Sequence, residues 1–106
     1  MTNSGWIGVD LDGTLAYYDH WIGEEHIGEP IPPMLQRVKD WIDRGITVKI
    51  FTARCQNGPK QIAVIEDWCM KHIGCTLEVT ATKDFAMIEL WDDRCVRVEM
   101  NTGKVR

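Results

Sequence analysis

Apolar and polar positions follow one another along the chain in a pattern that predicts five strands. Residues 6–11 form an apolar run that ends in the polar turn Asp12-Gly13-Thr14, which is typical of a buried strand. Residues 46–51 alternate and are rich in β-branched side chains, which favour a strand. Three shorter runs of the same kind follow at 77–81, 87–91 and 96–100.

Two helices are predicted between these strands. Residues 34–42 carry apolar side chains at helical spacing, and they begin after Pro32-Pro33 and end before Gly45. Residues 60–73 repeat the same period and are followed by Gly74. The order of strands and helices predicts an α/β domain with a mostly parallel sheet and helices packed on it.

Residues 17–33, between the first strand and the first helix, show neither a helical nor a strand period. The segment contains three prolines and four acidic residues but neither Lys nor Arg. It is also aromatic, with Tyr17, Tyr18 and Trp21 close together. We predict an acidic flap, and the sequence leaves open whether its aromatic side chains contact a substrate or pack the flap against the domain.

Length and composition limit the classes of function. A chain of 106 residues predicts a single domain over 1–106. The formal net charge is -4 and no run of Lys or Arg occurs, which argues against binding duplex nucleic acid. No apolar run approaches the roughly 20 residues that span a bilayer, so we expect no membrane association and no export. The 4 cysteines form no C-x-x-C pair, which suits free thiols in a cytoplasmic protein.

Polar side chains with reactive chemistry follow three of the predicted strands. Asp10 and Asp12 end the first strand, Thr52 ends the second, and Asp92 and Asp93 end the fourth. The carboxyl ends of parallel strands face one crevice, so we expect these groups to meet there. Clustered carboxylates repel one another unless a cation joins them, and oxygen ligands suit Mg²⁺. The sequence therefore predicts a magnesium site.

The order of these residues resembles the four motifs of the haloacid dehalogenase-like (HAD) superfamily. The matching stretches are Asp10-Leu11-Asp12-Gly13-Thr14-Leu15, Phe51-Thr52, Lys83 and Trp91-Asp92-Asp93, and they span residues 6–94. The resemblance implies a Rossmann-like three-layer fold and magnesium-dependent phosphoryl transfer through an aspartyl-phosphate intermediate. Residues 16–45 and 53–82 leave no room for a cap domain, so the chain looks like a capless minimal phosphatase acting on a small phosphomonoester.

The resemblance also implies roles for the acidic residues. Asp10 would be the nucleophile, and Asp12 would protonate the leaving oxygen and then activate the hydrolytic water. The metal would be held by the Asp10 carboxylate, the Asp12 backbone carbonyl and a carboxylate of the last motif, for which we choose Asp92. Asp93 would then orient its neighbours from outside the coordination sphere.

Three further residues are expected to bind the phosphoryl group. Thr52 would donate its hydroxyl, and Lys83 would compensate negative charge, both as the resemblance implies. Arg54 follows Thr52 closely, and the sequence leaves open whether it binds substrate or forms a surface salt bridge. Because an open, capless site is often covered by a neighbouring subunit in this family, a homo-oligomer is also expected.

Two other functions stay open at this point. One is a phospho-acceptor module like a response-regulator receiver, which also uses carboxylates, Thr, Lys and magnesium. Receivers carry their acidic pair near the first strand, whereas here a D-x-D sequence comes first and the acidic pair comes last. The other is a HAD-like binding or assembly part with little turnover, which only an activity assay distinguishes.

Overall fold

Four parallel strands and two α-helices make up the regular structure of residues 5–106, the part of the chain that the computed structural model describes. They are β1 (Trp6–Val9), α1 (Pro32–Asp43), β2 (Thr47–Phe51), α2 (Pro59–His72), β3 (Glu78–Thr80) and β4 (Met87–Trp91). Each lies within two residues of its predicted bounds. In this range no helix has both the length and the apolar character that crossing a bilayer requires.

The sheet has the strand order β3-β2-β1-β4, and every neighbouring pair is parallel, which confirms the predicted mostly parallel sheet. β1 is central. Its last residue, Val9, pairs with Ile50 of β2 on one side and with Trp91 of β4 on the other. The register therefore ends these three strands at the same edge of the sheet, where the predicted site residues follow.

The hydrophobic core lies between one face of the sheet and both helices. It combines Ile7, Val9, Val48 and Ile50 of the strands with Met34, Val38, Ile65, Trp68 and Cys69 of the helices. The chain moves from β1 to β2 to β3 in one direction, and right-handed crossovers then place both helices on the same face. The return from β3 to β4 spans only residues 81–86 and carries no helix. The described residues therefore form two layers, which corrects the predicted third layer.

Trp6 covers the face of the sheet that has no helix. It is 2% exposed, and its ring lies 6.4 Å from that of Phe51 in an edge-to-face arrangement. The Lys49 ammonium lies 4.5 Å from the centre of the Trp6 ring, and the indole N–H donates to Asp84 Oδ1 over 2.9 Å. Trp6 is thus fixed by contacts at both the face and the edge of its ring. It shields part of this face of the sheet from solvent in the absence of a helix.

The predicted strand at 96–100 is wrong. The segment instead turns back on itself through Asn101 and Gly103, which have positive φ angles of 67° and 77°, so that Val98 forms a single antiparallel bridge with Val105. Its apolar side chains are exposed, with Val96 at 70% and Met100 at 82%. An alternating sequence makes a strand only where one face is buried, and this segment has no such face.

We expect Trp6→Ala to destabilise the domain by about 3–5 kcal/mol, the usual cost of removing a buried aromatic side chain. The matched control is Phe85→Ala, because Phe85 is fully exposed and its loss should change stability by less than about 0.5 kcal/mol. Urea denaturation of the two variants measures both values. Equal stability of the two variants would show that Trp6 does not seal this face.

Candidate active site

The loop after β1 is held rigidly over the core. Leu11 and Leu15 are fully buried, and the backbone N–H groups of Leu15 and Ala16 donate to the Leu11 carbonyl over 3.0 and 2.8 Å. The Asp10 N–H donates to Trp91 O over 2.9 Å, which extends the pairing of β1 with β4 by one residue. The apolar positions of the motif therefore anchor the loop, and Asp10 is set at the edge of the sheet.

Three carboxylates meet at this edge. Oxygens of Asp10, Asp92 and Asp93 all lie within 4.8 Å of one another. The backbone N–H of Arg94 donates to Asp92 Oδ1 over 2.8 Å, so the turn after β4 orients that carboxylate. We call these three residues the acidic cluster. An all-oxygen donor set of this kind can hold a metal ion and suits a hard cation such as Mg²⁺.

Gly13 and Thr14 fix the third member of the acidic cluster. The Thr14 hydroxyl lies 3.0 Å from Asp93 Oδ1 and 3.4 Å from Asp10 Oδ2, and it accepts the Asp93 N–H over 2.9 Å. Gly13 has a φ of +93°, and a Cβ there would lie 2.8 Å from Asp93 Oδ2. The Asp93 carboxylate thus packs directly on the first loop, which requires glycine at that position.

Burial at this edge of the sheet, together with the neighbouring carboxylates, raises the pKa of Asp10 from 3.8 to about 7. Burial is the largest cause of this higher pKa, followed by the hydrogen bond to Asp93 and then by the negative charges of Asp92, Asp93 and Asp12. Each of these causes disfavours the ionised form of Asp10. A cation bound among the three carboxylates would offset the negative charges of Asp92, Asp93 and Asp12 and favour the ionised form of Asp10. The three residues therefore fit a metal site.

Asp12 forms a two-point ion pair with Arg54 rather than joining the acidic cluster through its side chain. Arg54 Nε donates to Asp12 Oδ2 over 2.7 Å, and Nη2 donates to Asp12 Oδ1 over 2.9 Å. The Arg54 side chain is only 6% exposed. It also donates to the carbonyl oxygens of Glu24 and His26 in the flap, over 3.2 and 2.9 Å. Arg54 is therefore a buried residue that orients Asp12 and is not a surface salt bridge.

Thr52 lies at the end of β2, beside Asp10 and Asp12. It is 5% exposed, and its hydroxyl oxygen accepts the N–H of Arg54 over 3.1 Å, which caps a short 3₁₀ helix at Ala53–Asn57. The sequence pattern did not predict this helix. The hydroxyl keeps its own proton for a second partner, as the predicted phosphoryl contact requires.

Two adjoining cavities of about 510 and 420 Å³ open at this edge of the sheet, and Asp10, Asp12 and Thr52 line both. Asp93 lines the larger cavity and Asp92 the smaller. The carboxyl ends of the strands thus gather these predicted residues as the parallel-sheet argument expects. Arg54 lines the larger cavity with a guanidinium that is already hydrogen-bonded to Asp12.

Lys83 does not join this group. It is exposed on the link between β3 and β4 and lines neither cavity, because the link leaves the outermost strand of the sheet and crosses toward Trp6. Arg94 lines both cavities instead, and sequence reasoning missed it as a functional residue. Its position directly after the acidic pair was the available signal. Arg94 thus supplies a positive charge beside the carboxylates.

Comparisons of the chain with protein-family models, with curated proteins and with solved structures find no match. Function is therefore inferred from the residues that line the two cavities. Those residues combine a carboxylate cluster, an oriented Asp12, a buried hydroxyl and an exposed guanidinium.

The raised pKa of Asp10 predicts that the metal-free protein loses stability as pH rises. The folded state keeps this proton up to a pKa of about 7, whereas the unfolded chain releases it near 3.8. Between these values the folded state binds more protons, so the free energy of unfolding falls with increasing pH. Asp10→Asn should remove this slope and, in EDTA at pH 8, stabilise the protein by on the order of 1 kcal/mol.

Thermal melts of both proteins in EDTA from pH 4.5 to 8 test this expectation. Asp67→Asn is the matched control, because Asp67 is an exposed carboxylate of α2 outside the cluster. An unchanged slope in Asp10→Asn, or the same loss of slope in Asp67→Asn, would contradict the assignment to Asp10.

Proposed function

We propose that this protein is a HAD-like phosphatase that hydrolyses a small phosphomonoester through an aspartyl-phosphate on Asp10, with Mg²⁺ as cofactor. The observation that carries the proposal is the position of Asp10, which follows the central strand, belongs to the acidic cluster and shares both cavities with Asp12 and Thr52. A nucleophile, a candidate acid–base group and a hydroxyl donor thus face the same open space.

The carboxylates of Asp10 and Asp92 and the backbone carbonyl of Asp12 would hold the magnesium ion. When bound, the ion offsets the repulsion between an anionic nucleophile and an anionic phosphate. Asp93 is assigned to positioning, because its carboxylate and its N–H are both engaged by the Thr14 hydroxyl.

In the first step, an Asp10 carboxylate oxygen attacks phosphorus and the bond from phosphorus to the ester oxygen breaks. Asp12 is the ion-pair partner of Arg54, so it first takes up a proton from solvent as the substrate binds. It then gives that proton to the departing oxygen, which leaves as an alcohol. Asp12 then takes a proton from water, the resulting hydroxide attacks the phosphorus of the acyl phosphate, and inorganic phosphate leaves Asp10 free again. Arg54 keeps the Asp12 side chain at the cavity, and when one Asp12 oxygen carries the proton the other can still accept from the guanidinium.

Thr52 and Arg94 are assigned to the phosphoryl oxygens. The buried Thr52 hydroxyl has a proton to donate, and the Arg94 guanidinium adds a charge that stabilises the transferring group. The resemblance gives this second role to Lys83, whereas the cavity lining favours Arg94. A cytoplasmic location is part of the proposal because all 4 cysteines are free thiols. A homo-oligomer in which a second copy of the chain covers the open site is also part of it.

Purified protein should release phosphate from p-nitrophenyl phosphate in Mg²⁺ and not in EDTA. Asp10→Asn should remove turnover, because an amide cannot form the acyl phosphate. Asp12→Asn should lower kcat for an alkyl phosphate by about 10²–10⁴, the usual contribution of general acid–base catalysis. Asp67→Asn is the control and should retain full activity, because Asp67 lies outside both cavities.

Full activity of Asp10→Asn would overturn the covalent mechanism. Mass spectrometry after mixing with substrate tests the phospho-acceptor alternative. A phosphorylated Asp10 that persists without multiple turnover would identify a phospho-acceptor module in place of a phosphatase.

Arg94→Gln should raise KM for the phosphate ester by about 10- to 100-fold, the range expected for one lost charge-assisted hydrogen bond. Lys83→Gln should change KM by no more than about two-fold, as for an ordinary exposed residue. Steady-state kinetics of the two variants, made in parallel, give the comparison. The reverse order of effects would return the phosphoryl role to Lys83.

A further inference from the structure

Two flap side chains form an aromatic wall on the larger cavity. Tyr18 and Trp21 line it together with Asp10 and Asp12, yet they are 44% and 51% exposed. Large rings that stay half exposed beside a catalytic cavity offer apolar surface that a ligand can bury. The sequence left open whether the flap aromatics pack on the domain, and these two face the cavity.

Trp21 packs against the buried guanidinium of Arg54. The Arg54 guanidinium carbon lies 4.8 Å from the centre of the Trp21 ring, a cation–π contact. Arg54 itself is fixed by Asp12 and by the carbonyl oxygens of Glu24 and His26. Because a buried cation occupies one side of the ring and half of the side chain remains exposed, Trp21 presents a preorganised face to the cavity.

The flap is anchored to α2 as well. Gln61 Nε2 donates to the Glu24 carbonyl over 2.9 Å, and Trp68 Nε1 donates to the Gly28 carbonyl over 2.9 Å. Both anchoring side chains are buried in the domain. The part of the flap that follows the wall is thus attached to the domain at Glu24 and Gly28, on either side of His26.

The wall lies on the leaving-group side of the proposed reaction. Asp12 is the acid that protonates the departing oxygen, and it is joined to Trp21 through one residue, Arg54. The group attached to that oxygen therefore lies beside the aromatic wall, because Asp12, Tyr18 and Trp21 line the same cavity. The cavity volume of about 510 Å³ is within the range of small-ligand sites, which run from about 300 to 1,000 Å³.

Charge further limits the leaving group. The flap carries Asp19, Glu24, Glu25 and Glu29 and neither Lys nor Arg. A second phosphate or an acidic chain attached to the leaving group would meet this negative charge. The two guanidinium groups that line the larger cavity are already assigned, Arg54 to Asp12 and Arg94 to the transferring phosphoryl group. A monophosphate with an otherwise uncharged leaving group therefore fits this cavity best.

We propose that the substrate is a monophosphate whose leaving group carries a planar aromatic ring, and that this ring stacks on Tyr18 and Trp21 while the phosphate lies at Asp10. The proposal rests on the proposed phosphatase function and adds the substrate class. A nucleobase and a simple aryl ring share this chemistry. Stacking of one base on an aromatic side chain contributes about 1–3 kcal/mol.

Matched substrate pairs separate stacking from leaving-group reactivity. Adenosine 5′-monophosphate and ribose 5-phosphate release the same kind of primary alcohol and differ in the base. Benzyl phosphate and cyclohexylmethyl phosphate differ in whether the ring is flat and aromatic. We expect kcat/KM to favour the aromatic member of at least one pair by about 5- to 150-fold, which is the stacking energy expressed as a ratio. The pair with the larger ratio identifies a base or an aryl ring as the source.

Trp21→Leu should bring that ratio close to one, and Trp21→Phe should restore most of it. Tyr17→Leu is the matched control, because Tyr17 is a 62% exposed flap aromatic that does not line this cavity. The ratio of kcat/KM values measured for Tyr17→Leu should equal that of the wild-type protein. An unchanged ratio in Trp21→Leu, or ratios near one for both pairs in the wild-type protein, would overturn the aromatic wall while leaving the phosphatase proposal intact.

Calorimetric binding of the same pairs to Asp10→Asn in Mg²⁺ gives a readout that needs no turnover. Tighter binding of the aromatic member, lost in the Asp10→Asn, Trp21→Leu double variant, supports the wall even if no ester is hydrolysed. Equal binding of both members overturns it. Absence of hydrolysis for every substrate, by contrast, overturns the proposed function and not the wall.

Discussion

The buried ion pair between Arg54 and Asp12 joins three segments that are far apart in sequence. Asp12 follows the central strand, Arg54 follows β2, and the carbonyl oxygens of Glu24 and His26 bring in the flap. Losing one partner of a fully buried pair costs roughly 3–5 kcal/mol. The Asp12 side chain is 21% exposed, so solvent lowers that cost here, but the geometry of all three segments still depends on one guanidinium.

The ion pair also divides the carboxylates of the site into two electrostatic classes. Asp12 has a full counter-charge, whereas no basic side chain within residues 5–106 forms an ion pair with Asp10, Asp92 or Asp93. The protein thus neutralises one carboxylate of the D-x-D sequence internally and leaves the other in a cluster that attracts a cation. Asp10 and Asp12, which are separated by Leu11 alone, thus have surroundings suited to different chemistry.

Much of the fold could be predicted because its signals are local. Helix α2 lies between Pro59 and Gly74, and β4 shows its pattern within five residues. The position of the site residues in one crevice could be predicted because the carboxyl ends of parallel strands lie at the same edge of a sheet. The missing third layer could not be predicted, because it depends on the strand order, which makes both crossovers run in the same direction. The burial of Arg54 and the position of Lys83 outside both cavity linings depend on the paths of loops, which leave no periodic signal in the sequence.

The pairing of β1 with β4 sets an order of assembly. Val9 and Trp91 are adjacent in the sheet, although nearly the whole domain lies between them in the chain. Contacts so distant in sequence form late, because the loop that they close is long. Since Asp92 and Asp93 arrive with β4, the acidic cluster is absent from any intermediate that lacks this strand. A bound cation would therefore distinguish the finished domain from its folding intermediates, and it would slow unfolding that begins by release of the edge strand.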